Sequence, residues 1–385
     1  MKIALCAQEV GVPPRNGRDV MTVHLAEALI RRGHEVHVLA WRVDAVEEPG
    51  FPVVQLSDDG STAGFKLKNW AARYPPLTAG QASSLRRTLE QGGYDASILS
   101  GGIGLRMTTE ARSTARVWSA GDEMVLMRAA YFRPGSSEYA PLLGVKLALL
   151  DWFNEFIHRN DAEEVWVVSE KDRRWMQRTQ LHSRVVNIPN GVDLDYFQQA
   201  EVEVKPKRVA FWGVLDFTPN LQALEWFVPN VFEPLRAEDP EAELLLIGRH
   251  PTEWVRRLTD KPGILLREDV KDLRPEVCSA PIAVFPFVSG SGIKNKLLEG
   301  AAMSRALVGA PRAVDGLYPS DAKAWETCRT PDEWMRTIRE LWADPARAAD
   351  LGEAARRWVE AHYHWDRAAR QAEESLVRAI ARRGA

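Results

Sequence analysis

The sequence predicts an α/β protein made of two Rossmann-like domains that face each other across a cleft. Three observations carry that expectation. Short apolar runs of strand type alternate with stretches of helical periodicity, the pattern of parallel sheets covered by helices. The alternation stops at a polar, charged, proline-containing stretch, 198–208, and then begins again. The length of 385 residues exceeds what one core normally organises.

The elements follow in order. Residues 2–7 are an apolar run, followed by the Gly/Pro-rich loop Gly11-Val12-Pro13-Pro14-Arg15-Asn16-Gly17. Met21, Leu25, Ala28 and Leu29 then recur at helical spacing up to Gly33, a helix-stop signal. Residues 35–40 are strand-like, which completes a β–loop–α–β unit. Residues 96–100 and 115–118 are further strands, the second followed by Ser119-Ala120-Gly121-Asp122. A long helix is expected at 142–159, its Leu, Trp and Phe residues mixed with charges. It reads as a core helix, with an interfacial helix at a membrane as the alternative. Residues 165–169 and 185–188 are strands, and the second closes on Pro189-Asn190-Gly191. The second series has strands at 208–213, 244–248, 264–266, 282–286 and 305–309, with helices between them and a helical tail from 331.

Composition excludes several classes. With 27% charged and 45% hydrophobic residues the chain is globular, neither disordered nor fibrous. A net charge of -3 argues against a dedicated nucleic-acid binder. Cys6, Cys278 and Cys328 are too scattered for a disulfide framework or metal cluster, so a reducing compartment is expected. The N-terminal apolar run breaks at Gln8 and Glu9, too early for a signal peptide. No run approaches a membrane span. The expected location is cytoplasmic, with peripheral contact at the inner face of a membrane as the variant.

Ligands of open α/β sheets bind beyond the carboxyl ends of the strands. The most informative loop there is Gly290-Ser291-Gly292-Ile293-Lys294-Asn295-Lys296, which leaves a strand and opens a helix. Glycines allow close backbone approach, the helix N-terminus offers free N–H groups, and Lys294 and Lys296 add positive charge. Together these suit a diphosphate. Glu299, one turn into the helix, suits a ribose diol. A solvated lysine pair and a surface glutamate would be the plain alternative. The loop from Gly11 to Asp19 has glycine and arginine but lacks the GxGxxG spacing, which counts against a dinucleotide oxidoreductase. Asp193-Leu194-Asp195 looks like a metal-binding DxD, yet its place after an Asn-Gly turn favours turn capping, and no metal is expected. Asp122 stands after a strand end, as a substrate-orienting carboxylate or as a helix cap. Core packing is the expected use of the 14 Trp.

Several motifs, in order along nearly the whole chain, resemble glycosyltransferase family 4, which has the GT-B fold. They are His24-Leu25-Ala26 with Gly33-His34-Glu35-Val36, Val168-Ser169-Glu170, Ile188-Pro189-Asn190-Gly191-Val192-Asp193 with Phe197, and Leu246-Ile247-Gly248. Lys296-Leu297-Leu298-Glu299-Gly300-Ala301-Ala302-Met303 and Tyr363-His364-Trp365 complete the series. The loop from Gly292 to Glu299 is similar to that of polysaccharide-associated sugar transferases. The resemblance implies an N-terminal acceptor-side domain, 1–197, rejoined by a returning helix at 366–385, and a C-terminal nucleotide-sugar domain, 198–365. It implies retaining transfer from a nucleotide-diphosphate sugar to a glycan or lipid-linked acceptor in surface polysaccharide or glycoconjugate synthesis. Neither cofactor nor metal is implied, because helix N-termini and basic side chains neutralise the leaving diphosphate.

On this reading Gly213, Gly290, Ser291, Gly292, Ile293, Lys294, Lys296 and Glu299 hold the donor. Val270 presents its backbone to the base, and Gly17 lines the opposite side. Asp122 and Lys294 are the catalytic candidates. Two features depart from the family. Ser291 replaces the first acid of an E-x7-E pair, and Gly213-Val214-Leu215-Asp216-Phe217 lacks the usual Arg and Lys. They keep open a non-catalytic nucleotide- or sugar-binding GT-B subunit, and a nucleotide-sugar epimerase is the other alternative of the same fold.

Overall fold

A computed structural model describes residues 1–14, 16–46, 48–58, 77–121, 140–179, 182, 184–290, 292–320 and 323–384. By its contacts the chain divides into two units, Met1–Gly191 with Trp365–Ala385, and Val192–His364. Residues 192–197, read as the tail of the first series, lie in the second unit. Val192 and Leu194 pack in its core, and the Val192 N–H donates to the Tyr363 carbonyl at 2.8 Å.

The first unit holds a seven-stranded parallel sheet. Its strands are β1 (Lys2–Val12), β2 (Glu35–Ala45), β3 (Val53–Gln55), β4 (Ala96–Ser100), β5 (Ala115–Gly121), β6 (Glu164–Val167) and β7 (Val185–Asn187). The order is β3-β2-β1-β4-β5-β6-β7, so the winding reverses between β1 and β4. β4 and β5 are almost wholly buried, and their central residues Ile98, Leu99, Val117 and Trp118 are apolar on both faces. β1 is longer than the sequence suggests. It stays in register with β2 as far as Val12↔Ala45, so Gly11 and Val12 are buried strand residues rather than loop. The loop therefore ends quickly, and helix Gly17–Arg31 starts at once. Its cap, Asn16, accepts from the N–H groups of Arg18 and Asp19 at 3.0 and 3.1 Å.

The returning helix, Trp365–Arg383, belongs to this first core. Trp365, Ala368, Ala369, Ala372, Leu376 and Ala379 form its buried stripe at three- and four-residue spacing. Trp166 Nε1 donates to Ser375 Oγ at 2.7 Å, and Ser375 Oγ donates to the buried Glu164 carboxylate. Arg378 and Arg382 donate to the same carboxylate at 2.9 and 2.6 Å.

Helix Pro141–His158 does not pack as the core helix expected from its Leu, Trp and Phe content. Its buried residues are Gly144, Asp151 and Glu155, while Leu142, Leu149 and Phe153 are exposed. Apolar content alone could not say which face meets the protein.

The second unit holds a six-stranded parallel sheet of order β10-β9-β8-β11-β12-β13. Its strands are β8 (Arg208–Val214), β9 (Glu243–Arg249), β10 (Ile264–Glu268), β11 (Ile282–Phe285), β12 (Ala306–Gly309) and β13 (Glu326–Thr327). Phe211, Trp212, Phe227, Phe285 and Trp334 anchor its core, and Trp118 and Trp166 are buried in the first unit, as the tryptophan count suggested. The winding reverses between β8 and β11, which places a crevice beyond the carboxyl ends of those strands. β3 and β13, of three and two residues, carry too few side chains to show a period. Among the described residues no helix is long and apolar enough to cross a membrane.

Candidate functional site

The glycine- and lysine-rich loop lies at the β8/β11 switch point. It leaves β11 at Pro286 and ends where helix Asn295–Ala302 begins, with Lys294 at the cap position. Gly290 and Gly292 have φ of 90° and 69°, the left-handed region that glycine tolerates best. A Cβ on Gly290 would lie 3.2 Å from Lys294 Nζ and 3.5 Å from Pro219 Cβ. The bare backbone there leaves room for the lysine.

Lys296 is half-buried and turns back toward β8. Its Nζ donates to Asn220 Oδ1 at 2.7 Å and lies over the rings of Phe211 and Phe287, 4.8 and 5.2 Å from their centroids. Asn220 is itself fixed, since its Nδ2 donates to the Val214 carbonyl at 2.6 Å. Gly213 has φ of 142°, and any Cβ there would collide with Lys296 Nζ. Glycine at the end of β8 therefore makes space for an ammonium. Lys294 Nζ approaches the same Phe287 ring, 5.6 Å from its centroid. Two ammonium groups thus lie near one aromatic ring. Burial pushes the Lys296 ammonium down to about 7, the Glu299 carboxylate opposes that drop, and the Lys294 charge adds to it.

Glu299 accepts a hydrogen bond from Trp212 Nε1 at 2.7 Å. Burial raises its pKa above the ordinary carboxylate range, against the Trp212 bond and the Lys296 charge. An anion placed between Lys294 and Lys296 would relieve their mutual repulsion and favour the charged form of Lys296. The nearby start of helix Asn295–Ala302 favours the same sign. Two cations beside a helix N-terminus, with a carboxylate one helical turn away, are groups of a kind able to hold a phosphate.

The other sequence candidates divide clearly. Val270 follows β10 by two residues, and its side chain packs against the core of this unit. Ile293 likewise turns its side chain to that core, so it is not a side-chain contact. Gly17 is exposed at the start of helix Gly17–Arg31, in the first unit. In that unit Arg18 reaches the β1/β4 switch point, its Nη1 3.7 Å from where a Cβ of Gly101 would be. Asp122 and Ser291 lie outside the described residues. Asp193 caps its turn, with Oδ1 accepting from the N–H groups of Asp195 and Tyr196 at 3.0 and 2.9 Å.

Sequence reasoning missed Asn220, Trp212, Phe211, Phe287 and Ser289. Trp212 lies on β8 and Asn220 on helix Thr218–Phe227, on either side of the loop that lacks the usual Arg and Lys. Asn220 carried little signal of its own, because Gln222 and Glu225 are polar in the same helix. Ser289 is 5% exposed, and its Oγ has no hydrogen-bond partner among the described residues.

Comparison with known proteins gives a consistent picture. Residues 206–344 match the family model "Glycosyl transferases group 1", and residues 16–191 match "Glycosyl transferase 4-like domain". A curated relative is 25% identical over 259 residues, the GDP-mannose-dependent monoacylated alpha-(1-6)-phosphatidylinositol monomannoside mannosyltransferase of Corynebacterium glutamicum. The match covers 60% of this chain and 63% of that protein, so the chain spans under two thirds of the relative's length. Among solved structures, sucrose-phosphate synthase from Thermosynechococcus elongatus superposes with a TM-score of 0.70 at 15% identity, covering 99% of both chains. HepE of Anabaena in complex with UDP and glucose gives 0.66 at 12%, covering 98% of this chain and 99% of that one. WaaG, a glycosyltransferase involved in lipopolysaccharide biosynthesis, gives 0.65 at 14%, covering 95% and 98%. At these identities the structural likeness establishes the fold, which is GT-B.

Proposed function

The chain belongs to the group 1, GT4-type glycosyltransferases, and from that premise we propose that it transfers a sugar from a nucleoside-diphosphate sugar to a glycan or lipid-linked acceptor. The product would serve surface polysaccharide or glycoconjugate assembly, and the anomeric configuration would be retained. The observation that carries the donor reading is the pair of ammonium groups on the Phe287 ring, at the switch point of the second sheet and beside a helix N-terminus.

In this proposal the donor diphosphate lies between Lys294, Lys296 and the loop Gly290–Gly292, with Gly213 giving clearance. Glu299 holds Trp212 through Oε2 and receives a ribose hydroxyl on its other oxygen. The backbone at Val270 borders the base. As the bond from the sugar C1 to the diphosphate oxygen breaks, negative charge grows on the leaving group. The preformed positive groups stabilise that charge, which is commonly the largest catalytic term. The acceptor hydroxyl forms the new bond to C1 on the face that the diphosphate leaves, and its proton departs to a leaving-group oxygen or to Asp122. Lys294 is the catalytic cation, while Gly17 borders the acceptor side. No metal is needed, because the two lysines supply the neutralising charge. The name of the corynebacterial relative pairs GDP-mannose with a lipid acceptor, and a structure of HepE holds UDP, so guanine and uracil donors come first. A lipid-linked acceptor would bring the protein to a membrane surface by peripheral contact.

Thermal unfolding with UDP, GDP, dTDP, ADP and CMP, in EDTA and in magnesium, tests the donor site. A ligand at about 100 times its Kd should stabilise by about 2.7 kcal/mol. The proposal expects one diphosphate to do so in EDTA and to lose most of the effect in Glu299→Ala. If a folded wild type responds to none of them, the donor site is wrong. Binding without turnover across a broad acceptor panel would instead favour a non-catalytic subunit, the reading that the missing Arg/Lys pair after β8 supports.

A further inference from the structure

Helix Pro141–His158 has its polarity inverted relative to an ordinary surface helix. Such helices bury an apolar stripe and expose their charges. Here Asp151 and Glu155 point inward and are 8% and 2% exposed, while eight of the fourteen exposed large hydrophobic residues among the described ones sit on this helix. Leu142 is 88% exposed, and Val145, Leu149, Trp152, Phe153 and Phe156 continue the surface along the helix.

We propose that the outward face of helix Pro141–His158 docks the protein on an anionic lipid bilayer. The exposed set settles how wide the face is. At about 100° per residue it runs from Trp152 on one edge to Leu143 on the other, an arc of about 180°. A coiled-coil seam for a second copy would be a narrow stripe, whereas a helix lying in an interface sinks half its girth. Charge agrees with this. Both acids of the helix lie on the side opposite the arc, and the charged residue within it is Lys146, which is exposed. Arg159 follows at the end, its guanidinium 4.1 Å from the Phe156 ring centroid. Trp, Phe and Leu supply the apolar face of an interfacial helix, and Lys146 and Arg159 are the basic groups placed to meet anionic headgroups. With 18 residues, about 27 Å, and two inward acids, the helix lies on the bilayer rather than across it.

This assignment deepens the lipid-linked arm of the proposed function, but its test needs no donor. The full chain is floated with vesicles of phosphatidylcholine alone, and with vesicles that also contain phosphatidylglycerol. Wild type should rise with the anionic vesicles and mostly remain behind with the neutral ones. Leu149→Glu with Phe153→Glu, both at exposed positions, should cut the bound fraction about tenfold while the circular dichroism spectrum is unchanged. Lys146→Glu should weaken binding to anionic vesicles alone. The assignment is overturned if wild type binds neither vesicle, or if the double variant floats as wild type does. It is equally overturned if light scattering shows a dimer that the double variant breaks while vesicle binding stays absent. Loss of flotation with intact diphosphate binding would separate this failure from failure of the donor site.

Discussion

Lys296 is the residue on which most of the site chemistry turns. Its ammonium is buried, pushed down to about 7, and positioned by Asn220. Binding a diphosphate restores its charge. Below about pH 7 the empty site already carries that proton, whereas above it binding must take one up. Diphosphate affinity should therefore fall by up to about tenfold per pH unit above 7, and in Lys296→Met it should be weaker and flatter with pH. Isothermal titration between pH 6 and 9 reads both. The same shift affects the empty protein. The unfolded chain holds the lysine proton up to about pH 10.4, so stability should rise between about pH 7 and that value. Lys296→Met should remove this part of the slope in urea titrations at several pH values. Gly213→Ala probes the same place by shape, because its Cβ collides with Lys296 Nζ at a φ of 142°. It should destabilise the second unit by about 1–3 kcal/mol and weaken diphosphate binding beyond what the stability loss explains. Unfolding and titration on one sample separate the two effects.

At the scale of elements, the returning helix is held by a polar clasp as well as by its alanine stripe. Glu164 is 2% exposed and gathers Ser375, Arg378 and Arg382 on one carboxylate. Glu164→Gln removes the charge and mismatches Ser375, itself the acceptor from Trp166. The expected loss is about 1–3 kcal/mol, less than for a sealed ion pair because both arginines can turn to water. Urea unfolding followed by tryptophan fluorescence measures it. Asn16→Ala takes the cap from helix Gly17–Arg31 and should cost about 1 kcal/mol in the same assay. Helix Gly17–Arg31 was legible from periodicity, and the returning helix followed from the family resemblance. The clasp of the returning helix was not legible, because a hydrogen bond between Glu164 and Ser375 joins residues 211 apart in the chain. The polarity of helix Pro141–His158 was lost for the same reason, since composition describes a helix but not what it leans on.

At the scale of the whole molecule, the two units differ in how the chain makes them. Val192–His364 is one continuous segment with its own core, whereas Met1–Gly191 needs Trp365–Ala385 to fill its core. The segment 192–364 expressed alone should unfold cooperatively and keep diphosphate affinity within about tenfold of its counterpart in the full chain. A chain ended after His364 should aggregate, because the first unit would expose the surface that Trp365, Ala369 and Leu376 cover. Calorimetry and size exclusion on the two products check this. The sequence by itself determined the α/β class, the two series, the central strands and the loop Gly290–Glu299. Each rests on local signals, such as an apolar run, a glycine or a lysine, that neighbouring residues carry on their own. Only the tertiary structure decided that the loop stands at the β8/β11 reversal, that Asn220 and Gly213 receive Lys296, and that Trp212 holds Glu299. It also decided which side of helix Pro141–His158 is left uncovered. Those outcomes depend on residues that chain folding brings together from distant positions, and no period within one segment records such a meeting.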